Sequence, residues 1–141
     1  MCRPVAGQEV LSQLLAEGIA NAPASASPLE AVAAGLGCAS GAMGPMNCDL
    51  GPRLKAAIAA SAELQERDAL KSVGLAATMT SALIARGVPD STAHLAGELG
   101  VLAFKRGYSE WSERDHEAER GLAYYTLAAL DELRAATGSL G

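Results

Sequence analysis

Four side chains in the sequence combine nucleophile, base or metal-ligand chemistry with some chance of acting together: Cys38, Cys48, His94 and His116. A zinc site draws its ligands from close pairs such as C-x-x-C or H-x-x-x-H, because two ligands leaving one turn can reach one ion. Here neighbouring candidates stand ten positions apart or more, so no metal site is expected. His116 falls in the charged run from Glu113 to Arg120, which reads as a solvated turn. No serine occupies a G-x-S-x-G elbow, and no Cys, His and Asp follow a recognisable catalytic order. The glycines of Gly35-Leu36-Gly37-Cys38-Ala39-Ser40-Gly41 superficially resemble a dinucleotide loop, but such a loop must be fed by a strand and open a helix. A helical pattern precedes this stretch and a turn follows it, so no cofactor is expected and the glycines read as helix packing or a fraying helix end. The reading is a protein that is not an enzyme.

What remains is apolar chemistry. Phe104, Tyr108 and Trp111 recur at i, i+4 and i+7, on one face of one helix. One reading is core packing against the last helix. The other is a wall of an apolar small-molecule cavity, completed by Met43, Val73, Met79 and Leu83, with Thr80 and His94 as the nearest groups able to orient a ligand by hydrogen bonds.

The elements that position these residues follow from composition and punctuation. Thirty Ala and 19 Leu stand against nine Val plus Ile, and aromatics make up 4% of the chain, a balance that favours helix over sheet. With 141 residues there is room for one domain, 1–141, and no apolar run is long enough to span a membrane. A formal charge of −5 argues against nucleic-acid binding by this chain alone. Three cysteines, Cys2, Cys38 and Cys48, are an odd and sparse set, and the N-terminus has neither the charge nor the apolar stretch of a secretory signal; both fit a cytoplasmic protein.

Val10, Leu11, Leu14, Leu15 and Ile19 form one stripe of a short helix over 8–21, ended by a Pro/Ser/Ala linker. Ser27, Pro28 and Glu30 have the types and spacing of a capping box at the start of a second helix. That helix is expected to fray near Gly44-Pro45, and a brief helix is expected from Pro52 to Ala60. Ser61 offers an N-cap to a long helix reaching Arg86, with Leu70, Val73, Ala77, Thr80 and Ile84 as its inward face, widened by Met79 and Leu83. Gly87-Val88-Pro89 stops it, and Asp90 or Ser91 opens a helix to about Tyr108 or Trp111. Ser112 and Asp115 resemble a capping box for a last helix ending near Gly138. The sum is an all-α bundle of five to six helices.

The last two helices are apolar on more than one side. Glu98 is the sole charged side chain from Ala93 to Phe104, and none occurs from Gly121 to Leu130. A short chain's core covers one face of such a helix, which leaves another for a second subunit. Small residues at Ala93, Ala96, Gly97, Gly100 and Ala103 would allow another helix to approach closely. The expected partner is a second copy, held through Leu95, Leu99, Leu102, Leu122, Tyr125, Ala129 and Leu133.

The order of these features resembles the C-terminal regulatory domain of TetR-family transcriptional regulators over residues 10–137. Ser27-Pro28-Leu29-Glu30-Ala31-Val32 resembles the family's Pro-Leu-Glu-Ala-Leu helix start, and Ser61-Ala62-Glu63-Leu64-Gln65-Glu66-Arg67 its Pro-Glu-Leu-Arg-Ala-Arg stretch. Ala85-Arg86-Gly87-Val88-Pro89-Asp90 is similar to its Ala-Arg-x-Gly-Val-x-x-Asp joint, Trp111 stands where a tryptophan is frequent, and Leu127-Ala128-Ala129-Leu130-Asp131-Glu132-Leu133 resembles its closing helix. The resemblance implies a dimer whose last two helices form a four-helix bundle, and a small apolar effector held among the middle helices. It also implies control of a helix-turn-helix domain, of which residues 1–9 contain nothing. The alternative is a ligand-free helical dimerisation or protein-interaction module.

Overall fold

Local signals in the chain start and stop most of the helices. The computed structural model describes residues 8–41, 60–113 and 121–140, and these form five helices: α1 (Gln8–Ala20), α2 (Pro28–Gly41), α3 (Ala62–Ala85), α4 (Asp90–Glu113) and α5 (Leu122–Thr137). Among the described residues there is no strand. At the head of α2 the capping box is formed in both directions. The Glu30 N–H donates to Ser27 Oγ at 3.2 Å, and the Ser27 N–H donates to Glu30 Oε1 at 2.8 Å. Ser61 caps α3 by accepting from the Leu64 N–H at 3.3 Å. At the other end of α3, Gly87 takes φ +96°, and the N–H groups of Gly87 and Val88 donate to the Ile84 and Leu83 carbonyls at 2.9 and 3.1 Å. This is a Schellman ending, which needs a residue free to adopt a left-handed conformation.

One core runs through all five helices. Leu11, Leu15 and Ile19 of α1 meet Val32, Leu36 and Ala39 of α2, Leu75, Met79 and Leu83 of α3, Ala96, Val101 and Ala103 of α4, and Ala129 and Leu130 of α5. Ile19, Leu36, Met79 and Leu83 are almost completely removed from water. Each contributes about 2 kcal/mol on the usual area scale. α1 and α2 cross at Gly18 and Gly35, where a Cβ on Gly18 would lie 2.6 Å from the Gly35 Cα. The packing reading of the Gly35–Gly41 stretch therefore applies at Gly35. Gly37 and Gly41 face open space.

Arg86 ties the end of α3 to the end of α1. Its Nη1 donates to the carbonyls of Ile19 at 3.0 Å and Ala22 at 2.9 Å, and its Nη2 to that of Pro23 at 2.7 Å. Carbonyls left over at a helix C-terminus carry the negative end of its dipole, so a guanidinium is the natural group to satisfy several at once.

Three details differ from the sequence expectations. Of the expected inward face of α3, Thr80, Met79 and Leu83 are buried, together with Leu75 and Ala76, while Leu70, Val73 and Ile84 point outward. That is a rotation of roughly 100° from the expected stripe, at 100° per residue. Both faces are apolar, and the one that neighbours approach is the one buried. α4 continues through Glu113, so Ser112 opens no helix. Its hydroxyl donates back to the Ser109 carbonyl at 3.0 Å, and it lies buried in α4. The last helix begins only at Leu122, with Gly121 as an N-cap that supplies no side-chain bond. The brief helix expected over 52–60 and the fraying near Gly44 lie outside the described residues.

Candidate functional site

The small residues of α4 are occupied inside the protomer. A Cβ on Gly97 would meet Thr80 Oγ1 at 2.6 Å, and one on Gly100 would meet Met79 Sδ at 2.8 Å and Val32 Cγ1 at 2.9 Å. Another helix does approach α4 closely at these positions, and the helices that do so, α3 and α2, belong to the same protomer.

Between α1, α2, α3 and α4 this packing leaves a cavity of about 10 Å³, lined by Leu11, Leu15, Leu36, Ala39, Leu75, Met79, Val101 and Phe104. Every lining side chain is apolar, and the volume admits roughly one water-sized sphere, which would find no polar partner there. Of the nine residues expected to bind a ligand, Met79 and Phe104 line the cavity. Leu83 is fully buried in the same core but beyond the cavity wall. Thr80 is buried as well, and its hydroxyl is committed to the Ala76 carbonyl at 2.8 Å. Val73 is 65% exposed on the outer side of α3. His94 is exposed too, its Nδ1 lying 2.9 Å from the Asp90 carbonyl oxygen and 3.5 Å from Asp90 Oδ2. Neither Val73 nor His94 is brought to the cavity, because the rotation of α3 and the surface position of the first turn of α4 carry them away from it. Met43 lies outside the described residues.

Tyr108 and Trp111 belong to a second cluster with Leu122 and Tyr125 at the joint of α4 and α5. Ring centroids are 6.4 Å apart between Phe104 and Tyr108 and 5.6 Å between Tyr108 and Trp111, the latter edge-on. The aromatic ladder is thus mainly core, with Phe104 at the junction of cluster and cavity. The lining residues that sequence reasoning missed sit on stripes already visible in α1 and α2. Nothing in a stripe tells a cavity wall from an ordinary contact.

The residues expected at a dimer interface divide in two. Leu122, Tyr125 and Ala129 turn into the protomer's own core, and Leu133 is half-buried against it. Leu95 and Leu102, at 59% and 44% exposure, face away from that core, while Leu99 is half-buried against it. Tyr124 and Leu127 are the exposed apolar residues of α5 near its start, and these the sequence reading left out. The signal was present in the same uncharged stretch, but its phase is set by which face of α5 meets α4.

Among the described residues no group of three or more His, Cys, Asp or Glu is placed to hold a metal ion. Cys38 is exposed and unbridged, while Cys2, Cys48 and His116 lie outside the described residues. No helix among the described residues is long and apolar enough to cross a membrane. No protein-family model matches the chain, and comparison with curated proteins finds no relative.

Proposed function

We propose that this chain is a dimerising regulatory domain of the TetR type, cytoplasmic, in which α4 and α5 of two copies form a four-helix bundle. In this reading it controls a helix-turn-helix domain outside these 141 residues and makes no specific contact with DNA itself. The observation that carries the proposal is the outer face of α4, where Leu95 and Leu102 remain in water although the helix has already buried its opposite side. Paired leucines on a long helix are what a symmetric partner covers. The order of the motifs from Ser27 to Leu133 supports the TetR assignment.

Effector sensing is the second component of the TetR resemblance, and the place for it would be the wholly apolar cavity lined in part by Met79 and Phe104. Ligand pockets run to about 300 Å³ and more, so an organic effector enters only if the helices around the cavity move apart. The present cavity size favours the ligand-free dimerisation module over the sensor for the conformation described. A thermal-shift screen separates them, since a ligand selective for the folded state raises the Tm by mass action.

The dimer is tested by sedimentation equilibrium of the full chain with Leu102→Glu beside it. Because Leu102 is exposed in the protomer, the variant should keep its helix content and lose the dimer, an unpaired interfacial charge costing several kcal/mol. Ala129→Glu, by contrast, places the charge in the protomer's own core and should unfold it. A wild-type chain that sediments as a monomer at about 100 μM, a concentration that detects any useful self-affinity, overturns the reading.

A further inference from the structure

The outer face of α4 carries a pattern that the protomer uses only in part, through Leu99, which is half-buried against its core. Leu95, Leu99, Leu102 and Arg106 are spaced by four, three and four residues, the alternation of a coiled-coil seam. At 100° per residue they fall within about 60° of arc. Glu98 and Lys105, one heptad apart, flank the seam on a single side. Glu98, Lys105 and Arg106 are exposed, and among the described residues none of them forms an ion pair.

Two copies of this seam can pair in two directions, and charge distinguishes them. In a parallel pair like positions meet, so Arg106 faces Arg106 of the other copy and neither flanking charge meets its opposite. In an antiparallel pair the seam positions alternate. Leu99 then faces Leu102 of the other copy, and Leu95 lies under the methylene stem of Arg106, whose head group reaches water. Glu98 falls opposite Lys105. Two-fold symmetry makes each of these contacts twice.

Resting on the dimer reading above, we propose that two copies of this chain associate through α4 in this antiparallel register, with Leu99 and Leu102 at the centre and two Glu98–Lys105 ion pairs selecting the direction. The occupant of the face is thus a second copy of the same chain, in one orientation.

Charge exchange in the full-length chain tests the register. Glu98→Lys alone, or Lys105→Glu alone, replaces two attractions with two repulsions and should weaken dimerisation by about tenfold or more at low salt, less at high salt. The double variant E98K/K105E restores both pairs with the wild-type net charge and should return the Kd to within about threefold, by the same pairwise arithmetic. Mixing the two single variants should yield a heterodimer tighter than either homodimer, a recovery that a purely intramolecular role could not produce. Circular dichroism checks that each exposed substitution leaves the helices formed. Single variants that dimerise like wild type, or a double variant as weak as the singles, would overturn the register while leaving the dimer standing. A wild-type chain that fails to dimerise removes the dimer reading itself.

Discussion

Gly107 stands where α4 comes closest to α5, and its replacement by alanine sets two well-defined effects against each other. A Cβ built on Gly107 would lie 2.5 Å from both Cα and Oγ1 of Thr126 and 2.6 Å from its backbone N. Carbon atoms in contact prefer about 3.5–4.0 Å, so the helices must separate by roughly 1 Å along that line. The obstacle is largely backbone and cannot swing aside, and the separation would loosen Trp111 from Leu122 and Tyr125 next to it. In favour of the substitution, alanine gains about 1 kcal/mol of helix propensity over glycine. Against it, overpacking costs about 1–3 kcal/mol, with the upper end appropriate to a backbone clash. The balance is a loss of about 2 kcal/mol, or a Tm lower by about 6 °C for a domain of this size. Urea denaturation followed by far-UV circular dichroism measures it, at equal protomer concentration so that self-association contributes equally. Gly37→Ala is the control, since nothing lies within 4 Å of a Cβ there. It should stabilise by about 0.5–1 kcal/mol, the ordinary gain in a helix. Adding Thr126→Ala to Gly107→Ala should not rescue, because Cα and N still block the site. A Gly107→Ala protein as stable as wild type would refute the close crossing of α4 and α5.

Three further outcomes follow from individual groups. Arg86→Lys keeps the charge but not the fork that reaches Ile19, Ala22 and Pro23, and should lose about 2 kcal/mol, with faster amide hydrogen exchange at the end of α1. Thr126 is completely buried and its hydroxyl has no hydrogen-bond partner among the described residues, so the isosteric Thr126→Val should be neutral or stabilising by up to about 1 kcal/mol in thermal denaturation. The Glu30 carboxyl is held below its ordinary range by the Ser27 backbone N–H, then by the Ser27 side chain and the more distant Arg134. A depressed carboxylate stabilises above its unfolded pKa, and that stability is lost as pH falls through the folded value. The Tm difference between wild type and Glu30→Gln should therefore be constant at neutral pH and shrink below about pH 4, where the unfolded carboxyl already protonates. A difference that persists unchanged to low pH would show that the charge plays no part in the cap.

Helix ends are legible because their chemistry is local. Ser27, Pro28 and Glu30 place the start of α2 within three residues, and Gly87 marks the end of α3 because a left-handed turn there suits glycine. Ser112 shows the limit of that logic. A serine inside a helix can bond back to the preceding turn as readily as it caps the next one, and the choice depends on whether α4 gains by continuing to Trp111 and its partners.

The all-helical character is equally legible, since Ala and Leu abound where β-branched residues are few. That same abundance hides the orientation of each helix. In α3, Leu70, Val73, Ala77 and Ile84 join Thr80, Met79 and Leu83 on paper as well as Leu75 and Ala76 do, and nothing local distinguishes the two sets. The second set is buried because α1 and α2 lie against it and α4 approaches at Gly97 and Gly100. Composition also shows that α4 and α5 are apolar on several sides, but Leu122, Tyr125 and Ala129 go to the protomer core while Leu95 and Leu102 stay outside. Which apolar residue meets which neighbour depends on how closely pairs of backbones can approach, and that distance is a property of two helices together, written in neither one alone.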